Sequence, residues 1–142
     1  MMIVVPYQPA HLDALKLQPV QSAFADLMSP EYAEWLRNAG PAFTVLTGEG
    51  VVAICGLAEE WEGRAQCWAL LSASVRPVMT GVTRAISRYF DMTPYRRIEA
   101  QTPEDFAEGK RWLHVLGFKA EGLMTNYYAD GRAAIRYARC KP

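Results

Sequence analysis

Gln66-Cys67-Trp68-Ala69-Leu70-Leu71-Ser72 is a mostly apolar run, and beyond Val75-Arg76-Pro77 the period changes, with Val82, Ala85, Ile86, Tyr89 and Phe90 at helical spacing. The run reads as a central strand covered on both faces. The helical stretch begins near Thr80 and carries Arg84 and Arg88 on its other face, the pattern of an amphipathic helix. Pro94 ends it, and Arg97-Ile98-Glu99-Ala100 resumes as a strand. Strand, helix and strand in this order form a βαβ crossover, which requires two parallel strands in one sheet.

Outward from that unit the signals are antiparallel. Upstream, Phe43-Thr44-Val45-Leu46-Thr47 and Val51 to Leu57 flank Gly48-Glu49-Gly50 and predict a hairpin, with a second turn at Trp61-Glu62-Gly63. Further back lies a short strand, Met2 to Val5, closed by Pro6 and followed by a helix on which Leu12 and Leu15 share a face. Val20 to Met28 is expected to be helical. Ser29-Pro30-Glu31 then supplies an N-cap, a first-turn proline and an acid for a helix to about Asn38, with Tyr32, Trp35 and Leu36 as its stripe.

Downstream, Thr102-Pro103-Glu104-Asp105 predicts a capped helix to Leu116, stopped by Gly117. Tyr127-Tyr128 and Ile135-Arg136-Tyr137 flank Asp130-Gly131, a strong hairpin signal. The order β-α-α-β-β-β-α-β-α-β-β excludes a purely parallel sheet. It predicts an α/β fold (α+β, mixed) with a mainly antiparallel sheet and helices on both faces, built as a single domain over 1–142.

Composition narrows the function classes. Of 142 residues, 51% are hydrophobic and 21% charged, which fits a globular chain. Fifteen Lys and Arg balance fifteen Asp and Glu, so no global field favours nucleic acid or an anionic membrane. Cys55, Cys67 and Cys140 lack CxxC spacing and read as free thiols, with no metal site expected. No apolar run approaches the roughly 20 residues of a membrane helix. The expected compartment is the cytoplasm.

The element order, together with two motifs, resembles the GNAT superfamily of acyl-CoA-dependent N-acyltransferases. The first motif is Val75-Arg76-Pro77-Val78-Met79-Thr80-Gly81-Val82-Thr83-Arg84-Ala85, similar to the family's strand, valine-x-proline step and glycine turn at a helix start. Val75, Pro77, Gly81 and Ala85 match, while Thr80 replaces the usual Arg or Gln and Thr83 a usual glycine. The second is Leu116-Gly117-Phe118 after Arg111-Trp112-Leu113-His114. There Leu113 stands where the family's proton-donating tyrosine sits, and Phe106 where its asparagine does. The chain is also similar to a small group of acetyltransferase-like proteins encoded by tailed phages among their virion-assembly genes.

The resemblance implies acetyl-CoA or coenzyme A as co-substrate, with its pyrophosphate held by main-chain N–H groups at the helix start. Ser74, Val75, Thr80, Gly81, Val82, Thr83 and Arg84 are the expected cofactor-binding residues. It also implies oxyanion donors on the fourth strand, at about Ser72 to Val75. That strand holds no Asp, Glu or His, so Glu99 and Glu60 are the candidate bases. Ser72, Ser74 and Cys67 have no base or electropositive neighbour in sequence that would mark a nucleophile. Two readings stay open. One is an N-acetyltransferase acting on a small-molecule or protein amine. The other is an inactive scaffold that binds phage or host proteins in virion assembly, in the bacterial host cytoplasm. Tyr127, Tyr128 and Ile135 lie in predicted terminal strands that could pair across a homodimer edge.

Overall fold

The computed structural model describes residues Met1–Pro142. In chain order it contains β1 (Ile3–Pro6), α1 (Pro9–Ala14), a 3-10 helix at Pro19–Leu27, α2 (Pro30–Ala39), β2 (Ala42–Thr47), β3 (Gly50–Trp61) and β4 (Arg64–Leu71). A second 3-10 helix at Ala73–Val78 leads into α3 (Met79–Met92), followed by β5 (Arg97–Pro103), α4 (Ala107–Val115), β6 (Lys119–Met124) and β7 (Ala134–Cys140). The strands are hydrogen-bonded in the order β1-β2-β3-β4-β5-β7-β6. β4 and β5 pair in parallel over Arg64–Gln66 and Arg97–Glu99, as the crossover requires. The recorded pairings β1 with β2, β2 with β3, β5 with β7, and β6 with β7 are antiparallel.

The backbone falls into two compact units. Met1–Glu59 with Cys67–Ala85 form one, and Glu60–Gln66 with Ile86–Pro142 form the other. The core of the first is built on Tyr7, Leu12, Leu15, Ala33, Leu36, Ile54 and Leu70. Tyr7 keeps its hydroxyl satisfied inside it by donating to the Ala33 carbonyl at 2.9 Å. Ser29 caps α2 as its sequence predicts, accepting from the Tyr32 N–H at 3.1 Å. In the second unit Phe90 and Phe118 meet edge to face at 5.7 Å. Gly117, at φ +91°, closes α4 in a Schellman arrangement, with Phe118 N–H on the Leu113 carbonyl and Gly117 N–H on that of His114, both at 3.0 Å.

Five local expectations are corrected. Val20 to Met28 is 3-10 rather than α-helical, and none of Pro19–Leu27 is buried. The doubly covered strand is β3, where Val52, Ala53 and Ile54 are fully buried, whereas most of β4 is only partly so. α4 starts at Ala107 and not at Thr102, because Thr102 is drawn into β5 and buried. Tyr127 and Tyr128 lie in the loop between β6 and β7. There both their N–H groups reach the Arg132 carbonyl, so they are turn residues and offer no strand for a partner. Trp35 leaves the α2 stripe and is 57% exposed, stacked on Tyr32 at 6.0 Å, while Ala33 joins Leu36 in the core.

Candidate functional site

Cys67–Ala85, which carries the end of β4 and the start of α3, lies within one compact unit, and its turn chemistry decides what it can bind. The Ser72 N–H donates to the Val52 carbonyl at 2.9 Å, which anchors the end of β4. Its hydroxyl then accepts from the Ser74 N–H at 3.2 Å, and its carbonyl accepts from the Val75 N–H at 3.1 Å. A serine side chain competing for local main chain in this way ends a strand and starts a turn. The expected oxyanion donors at Ser74 and Val75 are therefore engaged by Ser72.

The helix start is differently disposed. The Met79 N–H is taken by the Arg76 carbonyl, and the Thr83 hydroxyl donates back to the Met79 carbonyl at 2.8 Å, so Thr83 serves the helix itself. Val82 is buried at 1% exposure and anchors the turn. Thr80 is exposed, and Arg84, one turn further on, is exposed on the same helix face. A Cβ on Gly81 would meet only the thioether of Met2, at 3.1 Å to its sulfur. The resulting surface combines a helix N-terminus, a hydroxyl, a guanidinium and a glycine main chain approached only by the Met2 thioether, features that suit a phosphate group.

Glu99, in the other unit, is 4% exposed and sits at the centre of three guanidiniums. Arg64 grips it through both Nε and Nη2, the latter at 3.0 Å, Arg97 Nε donates at 2.9 Å, and Arg136 Nη1 donates at 2.6 Å. The hydrogen bond from Arg64 acts most strongly on its acidity, against the opposing cost of burial, and with that of Arg97 it holds the Glu99 carboxyl down at about 2. Strand alternation explains the cluster. Arg97, Glu99 and Gln101 share one face of β5, and Arg64 and Gln66 stand opposite Arg97 and Glu99 on β4. Gln66 Nε2 donates to Gln101 at 2.7 Å and its Oε1 accepts from Arg136 at 3.1 Å. Arg97 also pairs with Glu121, and Arg64 covers the Trp61 ring at 4.2 Å.

Glu60 lies near the end of β3 with its side chain in solvent. Leu113 is buried in α4 and His114 is exposed on it. Phe106 precedes that helix without a side-chain cap. Burial pushes the Cys55 thiol up to about 12 and raises that of Cys67 also, so neither is a ready nucleophile. Sequence reasoning missed Gln18 and Gln21, which the fold brings against the main chain of β4. Two glutamines around a proline carry no periodic or motif signal.

No family model matches the sequence, and no curated protein matches it. Solved structures do match along nearly its whole length. Ard1 from Thermoplasma volcanium is 14% identical, over 99% of this chain and 98% of that one, with a TM-score of 0.82. An N-acetyltransferase from Staphylococcus aureus Mu50 is 11% identical over 99% and 97%, at a TM-score of 0.76. A spermidine N-acetyltransferase from Vibrio cholerae is 13% identical over 97% and 94%, at 0.70. Identities this low speak to architecture alone, and on architecture the match is consistent: the chain has the GNAT fold.

Proposed function

We propose that this GNAT-fold chain is an acyl-CoA-dependent N-acetyltransferase that moves an acyl group from acetyl-CoA to an amine. The observation that carries this reading is the start of α3, where exposed Thr80 and Arg84 flank Gly81, whose Cα is approached only by the Met2 thioether. Those residues fit the pyrophosphate of coenzyme A, with the N–H groups at Thr80, Gly81 and Val82 as donors and Arg84 as the countercharge. Bound there, acetyl-CoA supplies a thioester carbonyl. The amine attacks it, a C–N bond forms, the C–S bond breaks, and the thiolate takes up a proton.

The protein's own contribution to those proton movements is modest. Leu113 has no proton to give, so solvent protonates the thiolate. Of the two carboxylates, Glu99 is too acidic within its arginine cluster to accept a proton from an ammonium group at neutral pH. We therefore assign it to holding β4, β5 and β7 together at that point, and assign the base to Glu60 in solvent. The acceptor is a small-molecule or protein amine, and the setting is the cytoplasm.

A second reading is favoured by the engagement of the Ser74 and Val75 N–H groups and by Leu113. It is a GNAT-fold scaffold without catalysis that binds phage or host proteins in virion assembly. Calorimetric titration with acetyl-CoA and coenzyme A separates the two. Micromolar binding that is lost in Gly81→Asp supports the acetyltransferase. Absence of binding by the unaltered protein up to millimolar ligand removes it and leaves the scaffold. For a homodimer, β6 is the strand that would pair, since Lys119 to Leu123 are exposed and it ends the sheet. Sedimentation equilibrium tests that separately.

A further inference from the structure

Glu121 meets its partner by way of an irregularity in β6. Lys119 stands opposite Ala138, Ala120 opposite Tyr137 and Gly122 opposite Arg136, so Glu121 is the extra residue of a β-bulge. Bulges re-aim side chains. This one sends the Glu121 carboxylate across β7 to the fork end of Arg97 on β5, with Nη1 donating to Oε2 at 3.0 Å and Nη2 donating to Oε1. Both side chains stay accessible, Arg97 at 33% and Glu121 at 41%. The chain thus holds one of its own carboxylates in the bidentate manner that a guanidinium favours.

The surroundings offer more donors than that pair uses. Gly122, Arg136, Ala138 and Lys119 share the face that carries Arg97 and Glu99, because cross-strand partners point the same way. Arg136 donates through Nη1 to Glu99 and Gln66, whereas the partner of its Nη2 is only the Met124 thioether at 3.9 Å. A Cβ on Gly122, directly opposite, would meet nothing within 4 Å. Open space therefore lies beside an underused guanidinium. On this face Arg64, Arg97, Arg136 and the exposed Lys119 stand against two carboxylates, Glu99 and Glu121. Glu99 is buried and shared by three guanidiniums, so it is fixed. Glu121 is held by an accessible pair of the kind worth little in water, so it is exchangeable.

We infer that this face of β5, β7 and β6 is a binding site for the carboxylate group of a small organic acid, and that Glu121 is its internal occupant. The ligand carboxylate enters over Gly122, accepts from Arg136 Nη2 and takes the place of Glu121 at the Arg97 fork, while Glu121 moves into solvent. One negative charge replaces another, so the balance around buried Glu99 is kept. That exchange matches a monoanion, and the fork matches a planar one. The site does not depend on the acyl-transfer reading, which concerns the start of α3.

Acetate, the group alone, is the probe, and acetamide is its uncharged control. The full chain is titrated at constant ionic strength while the Nε–H resonances of Arg97 and Arg136 are followed by heteronuclear NMR. Glu121→Gln removes the charge of the internal occupant. Gly122→Asp sets a tethered carboxylate in the open space and leaves the arginines in place. Acetate is expected to shift both resonances saturably in the unaltered protein and to bind about fivefold more tightly in Glu121→Gln, the equivalent of one accessible ion pair. In Gly122→Asp it is expected to bind more weakly by about the same factor. Glu121 is exposed on a strand at the end of the sheet, so its variant tests the inference even if Gly122→Asp folds poorly. No saturable shift, an affinity unchanged or weakened in Glu121→Gln, undiminished binding in a folded Gly122→Asp, or equal shifts with acetamide or chloride overturns the inference.

Discussion

Glu99 illustrates how far a residue's chemistry is set by its neighbours. In sequence it is an acid on a strand following a crossover helix, a fair position for a base. Folded, it has 5% of its side chain exposed and is shared by Arg64, Arg97 and Arg136. Removing one member of a buried ion-pair network leaves the others uncompensated, so Glu99→Gln is expected to cost about 3 kcal/mol, read as a lower urea midpoint. The pH dependence has a definite sign. The carboxyl is lowered from 4.5 to about 2, so its folded value lies below its unfolded one, and its stabilising effect is complete above the ordinary carboxylate range. That effect is lost as pH falls from about 4.5 toward about 2. Melting temperatures of the unaltered protein and Glu99→Gln should therefore differ clearly at pH 7, draw together as pH falls below about 4.5 and converge only toward pH 2; a gap that is constant with pH would contradict the lowered value. If Glu99 were the base, turnover would follow its titration, whereas the assignment to Glu60 predicts that Glu60→Gln lowers turnover without changing stability.

At the scale of elements, the ends are the informative parts. α2 starts where Ser29 can accept from the Tyr32 N–H, and Ser29→Ala is expected to cost about 1 kcal/mol in chemical denaturation. α4 stops at Gly117, whose φ of +91° a side chain adopts only with strain, and whose Cβ would come within 3.2 Å of Arg139 Nε. Gly117→Ala should therefore cost about 1–2 kcal/mol, whereas a change at the open Gly122 on β6 should have little steric effect. β4 ends because Ser72 turns its hydroxyl onto the Ser74 N–H. The same serine, Ser72, engages the Ser74 and Val75 N–H groups, the donors expected for acyl transfer there. This links local turn chemistry directly to the question of catalysis.

For the whole molecule, the decisive prediction concerns ligand linkage. A ligand that binds only the native state at about 100 times its dissociation constant stabilises by about 2.7 kcal/mol. For a chain of this length that corresponds to a rise in melting temperature of roughly 5–10 °C. Acetyl-CoA is expected to produce such a rise in the unaltered protein and not in Gly81→Asp. No shift with millimolar ligand would agree with the scaffold reading. The GNAT architecture is compatible with both outcomes, since a fold hosts a site without dictating it.

The sequence by itself determined the element order, the parallel pairing across α3, the hairpin of β2 and β3, the Ser29 cap and the Gly117 stop. These follow from short-range causes: hydrophobic period, turn residues and caps act within a few positions. Only the tertiary structure decided that β3 rather than β4 is the most buried strand, that Trp35 leaves the core, and that Tyr127 and Tyr128 belong to a loop. It alone joined Glu99 to Arg64 and Arg136, residues 35 and 37 positions away, and set Gln21 against Leu71, 50 positions away. Contacts of that kind depend on strand register and on which main-chain groups an edge leaves unpaired. Those are properties of the assembled sheet and are not written in any local stretch of the chain.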